Sequence, residues 1–159
     1  MTIVFISAWY SDNMGYIENC LPKSLVKMGH EVHVITSTAQ VYFNHPFYEK
    51  AYQKYLGDPL QPVGKTRIEG VTIHRLPFYQ WKSKILLRGL ISTIFDIKPD
   101  VVTIFEHVSI DTFKLVLTKI TLNFKLFTAN HAVMSVYPTA KNWAILPFYK
   151  KGQISLKSI

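Results

Sequence analysis

Apolar and polar positions along this chain keep changing period. An apolar run, Thr2-Ile3-Val4-Phe5-Ile6-Ser7, gives way to the polar loop Asp12-Asn13-Met14-Gly15. A stretch with helical spacing follows and stops at Gly29, and a second apolar run, Val32-His33-Val34-Ile35-Thr36, comes directly after it. The succession predicts a strand, a loop, a helix and a strand. Such a unit forms a parallel pair with its loop at the carboxyl end of the first strand, where open α/β sheets take ligands. Gly15 as N-cap would put Glu18 at the third helical position, where a carboxylate favours the unpaired amides. Ile17, Leu21, Leu25 and Met28 fall on one face, predicted to cover the sheet. Gly29 terminates the helix and His30 closes it. Pro22 interrupts the pattern: inside a helix it removes a hydrogen bond at a cost of roughly 3 kcal/mol, so a kink or a late start is expected.

Further strands are predicted over Val71 to Leu76, Val101 to Phe105 and Leu126 to Thr128, with helices over Lys84 to Asp96 and Ile110 to Ile120. The second of these helices has Ile110, Phe113, Leu117 and Ile120 on one face and Ser109 placed to cap it. Pro99-Asp100 ends one helix and launches a strand without polar alternation, the pattern of a strand covered on both faces. Alternating strands and helices point to a layered α/β sheet. Ser37 to Thr66 is a long connection rich in aromatics: Tyr42, Phe43, Phe47, Tyr48, Tyr52 and Tyr55. Pro46 would start a short helix there and Gly57 would end it. A connection of that length is either functional or a satellite cluster packed on the sheet edge. From Tyr137 to Ile159, Trp143, Ile145, Leu146, Phe148 and Tyr149 sit beside Lys141, Lys150 and Lys151. That mixture fits an interfacial helix on an anionic membrane or an ordinary surface helix, and Pro147 opposes a long regular one.

Several of these pieces carry a resemblance. Met14-Gly15-Tyr16-Ile17-Glu18-Asn19, Leu25-Val26-Lys27-Met28-Gly29-His30-Glu31-Val32 and Thr36 resemble the opening of the amino-terminal domain of family 4 glycosyltransferases. The likeness continues with Gly70-Val71-Thr72-Ile73-His74-Arg75-Leu76, Lys98-Pro99-Asp100-Val101-Val102 and Phe127-Thr128-Ala129-Asn130-His131. The resemblance implies a Rossmann-like three-layer α/β domain with a mainly parallel sheet, one half of a GT-B fold. It implies that loops of this half, the aromatic connection included, shape the acceptor site. It also implies that the second, carboxyl-terminal domain holds the nucleotide-sugar and supplies the basic pair that stabilises the departing diphosphate. Neither is evident in these residues. The domain is assigned to 1–150, with 151–159 as a tail and the donor domain absent.

The polar residues at the predicted strand ends converge independently of that resemblance. Asp12, Asn13, Gly15 and Tyr16 follow the first strand, Thr36 and Ser37 close the second, and Glu106-His107 and Asn130-His131 follow two more. In a parallel sheet these positions share one rim and would line a single cleft. Gly15 lets backbone approach a ligand closely, with helix amides behind it suited to a phosphate or a sugar hydroxyl; the alternative is a plain turn. His131 is the candidate catalytic residue. The resemblance implies that it contacts the transferred sugar or the acceptor and is not a general base; a surface or capping histidine is the alternative. Asp12, Asn13, Gly15, Tyr16, Glu106, His107 and Asn130 are the candidate substrate-binding residues. No Gly-x-Gly-x-x-Gly or P-loop pattern is present, which argues against a dehydrogenase or a P-loop enzyme. No histidine spacing suggests a metal, and no cofactor beyond the nucleotide-sugar substrate is implied.

Composition narrows the setting. At 159 residues with 48% hydrophobic and 18% charged side chains, the chain reads as one globular domain. The single cysteine, Cys20, makes no disulfide framework, fits a reducing cytosol, and is expected to be a buried helix residue. No basic leader precedes the first strand and no run reaches membrane-spanning length, Ile85 to Ile97 being broken by Arg88 and Asp96. A net charge of +8 suits an anionic partner or merely solvates the surface. Scattered basic residues without a recognised motif disfavour nucleic acid. The expected function is the amino-terminal part of a retaining glycosyltransferase, inactive alone, cytoplasmic and peripheral at the inner face of a membrane. Its expected partners are a polysaccharide or lipid-linked acceptor, an anionic membrane surface and a separate donor domain. The competing readings are a non-catalytic sugar- or partner-binding module, a truncated remnant with an exposed apolar face, and another GT-B-like protein such as a sugar-nucleotide epimerase.

Overall fold

The computed structural model describes residues 1–81, 84–105 and 109–129. In chain order the elements are β1 (Thr2–Ile6), α1 (Ile17–Lys27), β2 (Glu31–Ser37), α2 (Tyr48–Ala51), α3 (Gln53–Leu56), β3 (Gly64–Ile68) and β4 (Val71–Leu76). They continue with β5 (Phe78–Trp81), β6 (Lys84–Leu87), α4 (Leu90–Ile97), β7 (Val101–Ile104), α5 (Ile110–Thr118) and β8 (Lys125–Thr128). Six strands form one sheet in the order β3-β4-β2-β1-β7-β8, and β5 pairs with β6 in a separate hairpin. Five of the six run parallel and β3 lies antiparallel on β4. This mixed α/β architecture is compatible with a Rossmann-like fold.

Strand alternation builds a core on each face of the sheet. On one, Ile3, Phe5, Val32, Val34, Val71 and Ile73 pack under Leu25 and Val26 of α1. On the other, Val4, Ile6, Ile35, Val102 and Ile104 meet Ile85 and Leu87 of the hairpin, Leu90 and Ile94 of α4, and Leu115 of α5. β1 is flanked on both edges and covered on both faces, which is why it reads as an unbroken apolar run. The turn between β3 and β4 presses on α1. Gly70 has φ +85°, and a Cβ there would meet Val26 Cγ1 at 2.5 Å, so only glycine fits.

Strands predicted at Val71–Leu76, Val101–Phe105 and Leu126–Thr128 form within a residue of those bounds. The first helix ends as expected, with Gly29 N donating to Val26 O at 2.9 Å and His30 N to Leu25 O at 3.1 Å. This is a Schellman closure in which His30 acts through its backbone. Its start differs. Asn19 N and Cys20 N both donate to Tyr16 O, so Tyr16 and not Gly15 is the N-cap and Glu18 is the second helical residue. The helix runs on through Pro22, whose side chain is buried, with no late start.

Three expectations about helices are corrected. On α1, Ile17, Leu21 and Met28 are exposed, while Asn19, Pro22, Leu25 and Val26 face inward. Cys20 is consequently exposed and not buried. On α5, Ser109 caps as expected, accepting from Thr112 N at 3.0 Å. Yet Ile110, Phe113, Leu117 and Ile120 are all exposed, and Asp111, Thr112, Leu115 and Thr118 are inside. Lys84 to Leu87 is strand instead of helix: Arg88 N reaches Pro77 O at 2.8 Å and Leu87 N reaches Asp111 Oδ2 at 2.9 Å. Those bonds fix the hairpin, and α4 begins only at Leu90. The edge strand β3, polar along most of its length, carries no apolar signal and was not expected.

Candidate functional site

Strand order reverses at β1. The chain leaves β1 toward β2 and β4 on one side and later returns to β7 and β8 on the other, so the carboxyl end of β1 is the topological switch point. Phe105 N donates to Ile6 O and Ala129 N to Ile104 O, each at 2.9 Å, bringing the ends of β7 and β8 up to the same rim. A cavity of about 10 Å³, room for one water, lies there among Ile6, Ala8, Ile85, Leu87, Ile104, Phe105 and Asp111. The Asp111 carboxylate is engaged on both oxygens, by Leu87 N at 2.9 Å and Lys114 Nζ at 3.0 Å.

The β1–α1 loop, Ser7 to Tyr16, is held almost residue by residue. Ser37 Oγ donates to Ala8 O at 2.6 Å. Arg75 Nη1 donates to Tyr10 O at 3.2 Å, and its guanidinium lies 5.8 Å from the Tyr10 ring centre. Ser11 Oγ donates to Gln40 Oε1 at 2.5 Å and accepts from Val41 N at 2.9 Å. Asn19 Nδ2 donates to Ser11 O at 2.8 Å, and Asn13 Nδ2 to Tyr55 O at 2.9 Å. The Tyr16 and Tyr42 hydroxyls share a bond of 2.9 Å. Polar side chains at this rim therefore order backbone, the kind of preorganisation a binding loop needs.

Electrostatically the rim centres on Arg75. It is buried at the end of β4, and burial pushes its pKa down while Asp12 and Tyr10 oppose that shift. Asp12 Oδ1 lies 3.6 Å from Arg75 Nη2, an ion-pair contact too long for a hydrogen bond, and that oxygen is buried without a hydrogen-bond partner. Thr36 Oγ1, on the strand residue in register with Arg75, is also buried without one. Burial, then the Asp12 charge, pushes the Tyr10 phenol up to about 12, so it stays a neutral hydroxyl. The bond to Tyr42 raises the Tyr16 phenol in the same sense. Glu18 sits in the first turn of α1 and offsets the positive end of that helix.

The predicted site residues divide accordingly. Asp12, Asn13, Gly15 and Tyr16 lie together on this loop. Asn13 and Tyr16 are partly engaged with the 38–60 segment, and the position of a Cβ on Gly15 has no atom within 4 Å. Thr36 and Ser37 reach the rim but point into the protein, Ser37 spending its hydroxyl on the loop. Glu106, His107, Asn130 and His131 lie outside the described residues, as do Tyr137 to Ile159 and the boundary at residue 150. Among the described residues no group of three or more potential metal ligands occurs. Sequence reasoning missed Arg75 and Gln40. Arg75 had a signal: it breaks the inward alternation Val71, Ile73, Arg75 at a strand's carboxyl end. The aromatic connection folds into the short helices α2 and α3, the second ending at Gly57. It packs on the β1–α1 loop through Gln40, Tyr42 and Tyr55, while Phe43 packs on the sheet's core beside Phe78 and the connection runs on into the edge strand β3.

No family model, no curated protein and no solved structure matches the chain.

Proposed function

We propose that this chain is the amino-terminal, acceptor-side part of a retaining glycosyltransferase of the GT-B type. It would move a sugar from a nucleotide-sugar to a polysaccharide or lipid-linked acceptor. The observation that carries this reading is the β1–α1 loop, ordered at the topological switch point with Asp12, Asn13, Gly15 and Tyr16 presented on it. The motif pattern from Gly15 to His131 supports the same reading. In it, Asp12 and Asn13 accept and donate hydrogen bonds to acceptor hydroxyls, Gly15 leaves room for the sugar, and His131 contacts the transferred unit. Leaving-group stabilisation comes from a second domain, so the chain alone transfers nothing. Such stabilisation is a major part of the rate of any group transfer. A net charge of +8 suits an anionic lipid surface or a lipid-phosphate acceptor. The attachment proposed is peripheral, at the inner face of a membrane; no described helix is long and apolar enough to cross one.

The test is amide chemical-shift mapping of the chain with a short-chain lipid-linked sugar phosphate and, separately, with nucleotide-sugars. The acceptor mimic should shift Asp12 to Tyr16, and no product should form from any nucleotide-sugar. Turnover by the chain alone, or an acceptor footprint away from that loop, overturns the proposal. The exposed apolar stripe on α5 favours a second reading, a non-catalytic module that docks a separate donor domain; it predicts a stable complex that transfers no sugar.

A further inference from the structure

Beside the rim, the segment between β2 and β3 both braces the loop, through Tyr42 and Tyr55, and carries exposed aromatic rings of its own. Tyr42 and Tyr52 stack with ring centres 4.8 Å apart, and His45 meets Tyr52 edge-on at 5.5 Å. Phe47 lies 6.0 Å from His45. Phe47 and Tyr55 are 63% and 65% exposed, and Tyr16 and Tyr42 stand partly in water beside them. Tyr42 has φ 62°, a left-handed conformation that a bulky residue keeps only where its surroundings hold it. Its hydroxyl is bonded to that of Tyr16, the residue that caps α1 and follows Gly15. The strip is thus continuous with the loop proposed to receive the acceptor.

Its chemistry selects the occupant. Exposed aromatic rings bearing hydroxyls and an imidazole at their margins present an apolar surface with polar handles. That suits the flat CH face of a pyranose, whose hydroxyls reach the handles; a purely apolar partner would leave them unused. Charge points the same way. From Tyr42 to Gln61, Glu49 and Asp58 balance Lys50 and Lys54, so the strip is neutral on a chain of net charge +8. A membrane or a nucleic acid would bind the basic remainder of the surface instead. We infer that Tyr42, Tyr52 and their aromatic neighbours form a stacking platform for neutral saccharide units, holding an acceptor chain beside the rim. The inference rests on the acceptor-side reading and makes that acceptor an oligosaccharide, gripped at units other than the one that reacts.

The experiment is affinity measurement on the whole chain with neutral hexasaccharides as probes: gluco-oligosaccharides of α-1,4, β-1,4 and β-1,3 linkage, mannohexaose and chitohexaose. Anionic phosphatidylglycerol vesicles form a separate arm. At least one hexasaccharide should bind saturably. Tyr42→Gly, which keeps the left-handed backbone and deletes the ring, should weaken it about tenfold or more. Tyr42→Phe should weaken it less, and Tyr79→Ala, whose ring packs against Arg88 on the β5–β6 hairpin, should leave it unchanged. Melting curves establish that each variant is folded. If Tyr42→Gly does not fold, Tyr55→Ala, whose ring is largely in water, carries the test with the same expected direction. Binding of no hexasaccharide, binding indifferent to these changes, or binding only to vesicles overturns the platform. The two proposals fail separately. Acceptor shifts at Asp12 to Tyr16 that survive Tyr42→Gly without hexasaccharide binding sink the platform alone. Hexasaccharide binding at Tyr42 without any acceptor footprint on that loop sinks the transferase reading alone.

Discussion

Helices α1 and α5 cover opposite faces of the sheet, and each carries an apolar stripe that a periodicity count assigns to the core. On α5 the whole stripe is left outside, and on α1 only Leu25 of it turns inward. On α1 the inward side is set by Asn19, whose amide donates to Ser11 O at 2.8 Å. On α5 it is set by Asp111, whose carboxylate accepts from Leu87 N at 2.9 Å. A buried polar group with a fixed partner strongly disfavours rotation, because turning the helix would strand that partner. The helices differ in how the rest is held. α1 is docked along its length, from Asn19 to the tight contact of Val26 with Gly70. α5 is docked through Asp111, Thr112, Leu115 and Thr118, and presents Phe113, 64% exposed, and Leu117 to water. A stripe of that kind on a folded protein marks a contact surface more often than an accident.

The largest way to break the comparison lies on the α1 side. Arg75→Ala removes the donor to Tyr10 O and leaves the Asp12 carboxylate without its cation. It should cost about 2–4 kcal/mol of stability, the lower end reflecting the partial exposure of Asp12. Urea unfolding monitored by circular dichroism measures it; a loss below about 1 kcal/mol would mean that the loop does not depend on Arg75.

An intermediate effect comes from acid. His33 Nδ1 lies 3.0 Å from His74 Nε2, and burial, followed by the neighbouring His33 and Lys65, pushes the His74 pKa down to about 4. The unfolded chain binds a proton at His74 below its ordinary value of 6.5, while the fold resists it. Stability from this group is therefore complete above that value and is lost as pH falls through the window toward 4. The hydrogen bond to His33 pulls the Glu31 carboxyl down, which adds a loss of the same sign. For His74 the expected loss is about 1–2 kcal/mol after allowance for its partial exposure. Unfolding midpoints between pH 7 and pH 4 should fall in the wild type and flatten in His74→Gln, and parallel curves would remove His74 from the account.

The smallest effect sharpens the contrast on α5. Leu117→Lys, on the exposed stripe, should change stability by no more than about 0.5 kcal/mol while lowering binding of a hydrophobic dye. Leu115→Lys, on the opposite side of the same helix and fully buried, should prevent folding. If the two variants behaved alike, α5 would not be oriented as described.

How much of this was legible follows from the same physics. β1, β2, β4 and β7 carry long or alternating apolar runs, and their parallel pairing with crossover helices follows from order alone. The rim was legible for that reason: strand ends in a parallel sheet converge wherever their residues lie in the chain. The run Lys84-Ile85-Leu86-Leu87 was not, because four residues fit helix and strand equally and the deciding bond comes from Asp111. Arg75, Gln40 and the anchoring role of Asn19 depend on partners brought close only by the fold, Tyr10 lying 65 positions from Arg75. Local spacing contains no such information.

The strand that escaped sequence reading has its own consequence. β3 offers Lys65 and Arg67 on an exposed outer margin, with only Ile68 partly covered. Another β-strand approaching that margin would have to desolvate two cations before pairing a single amide, a device that keeps sheets from growing into aggregates. At that edge, the polarity that hid β3 from a search for apolar periodicity is what discourages a further strand from pairing.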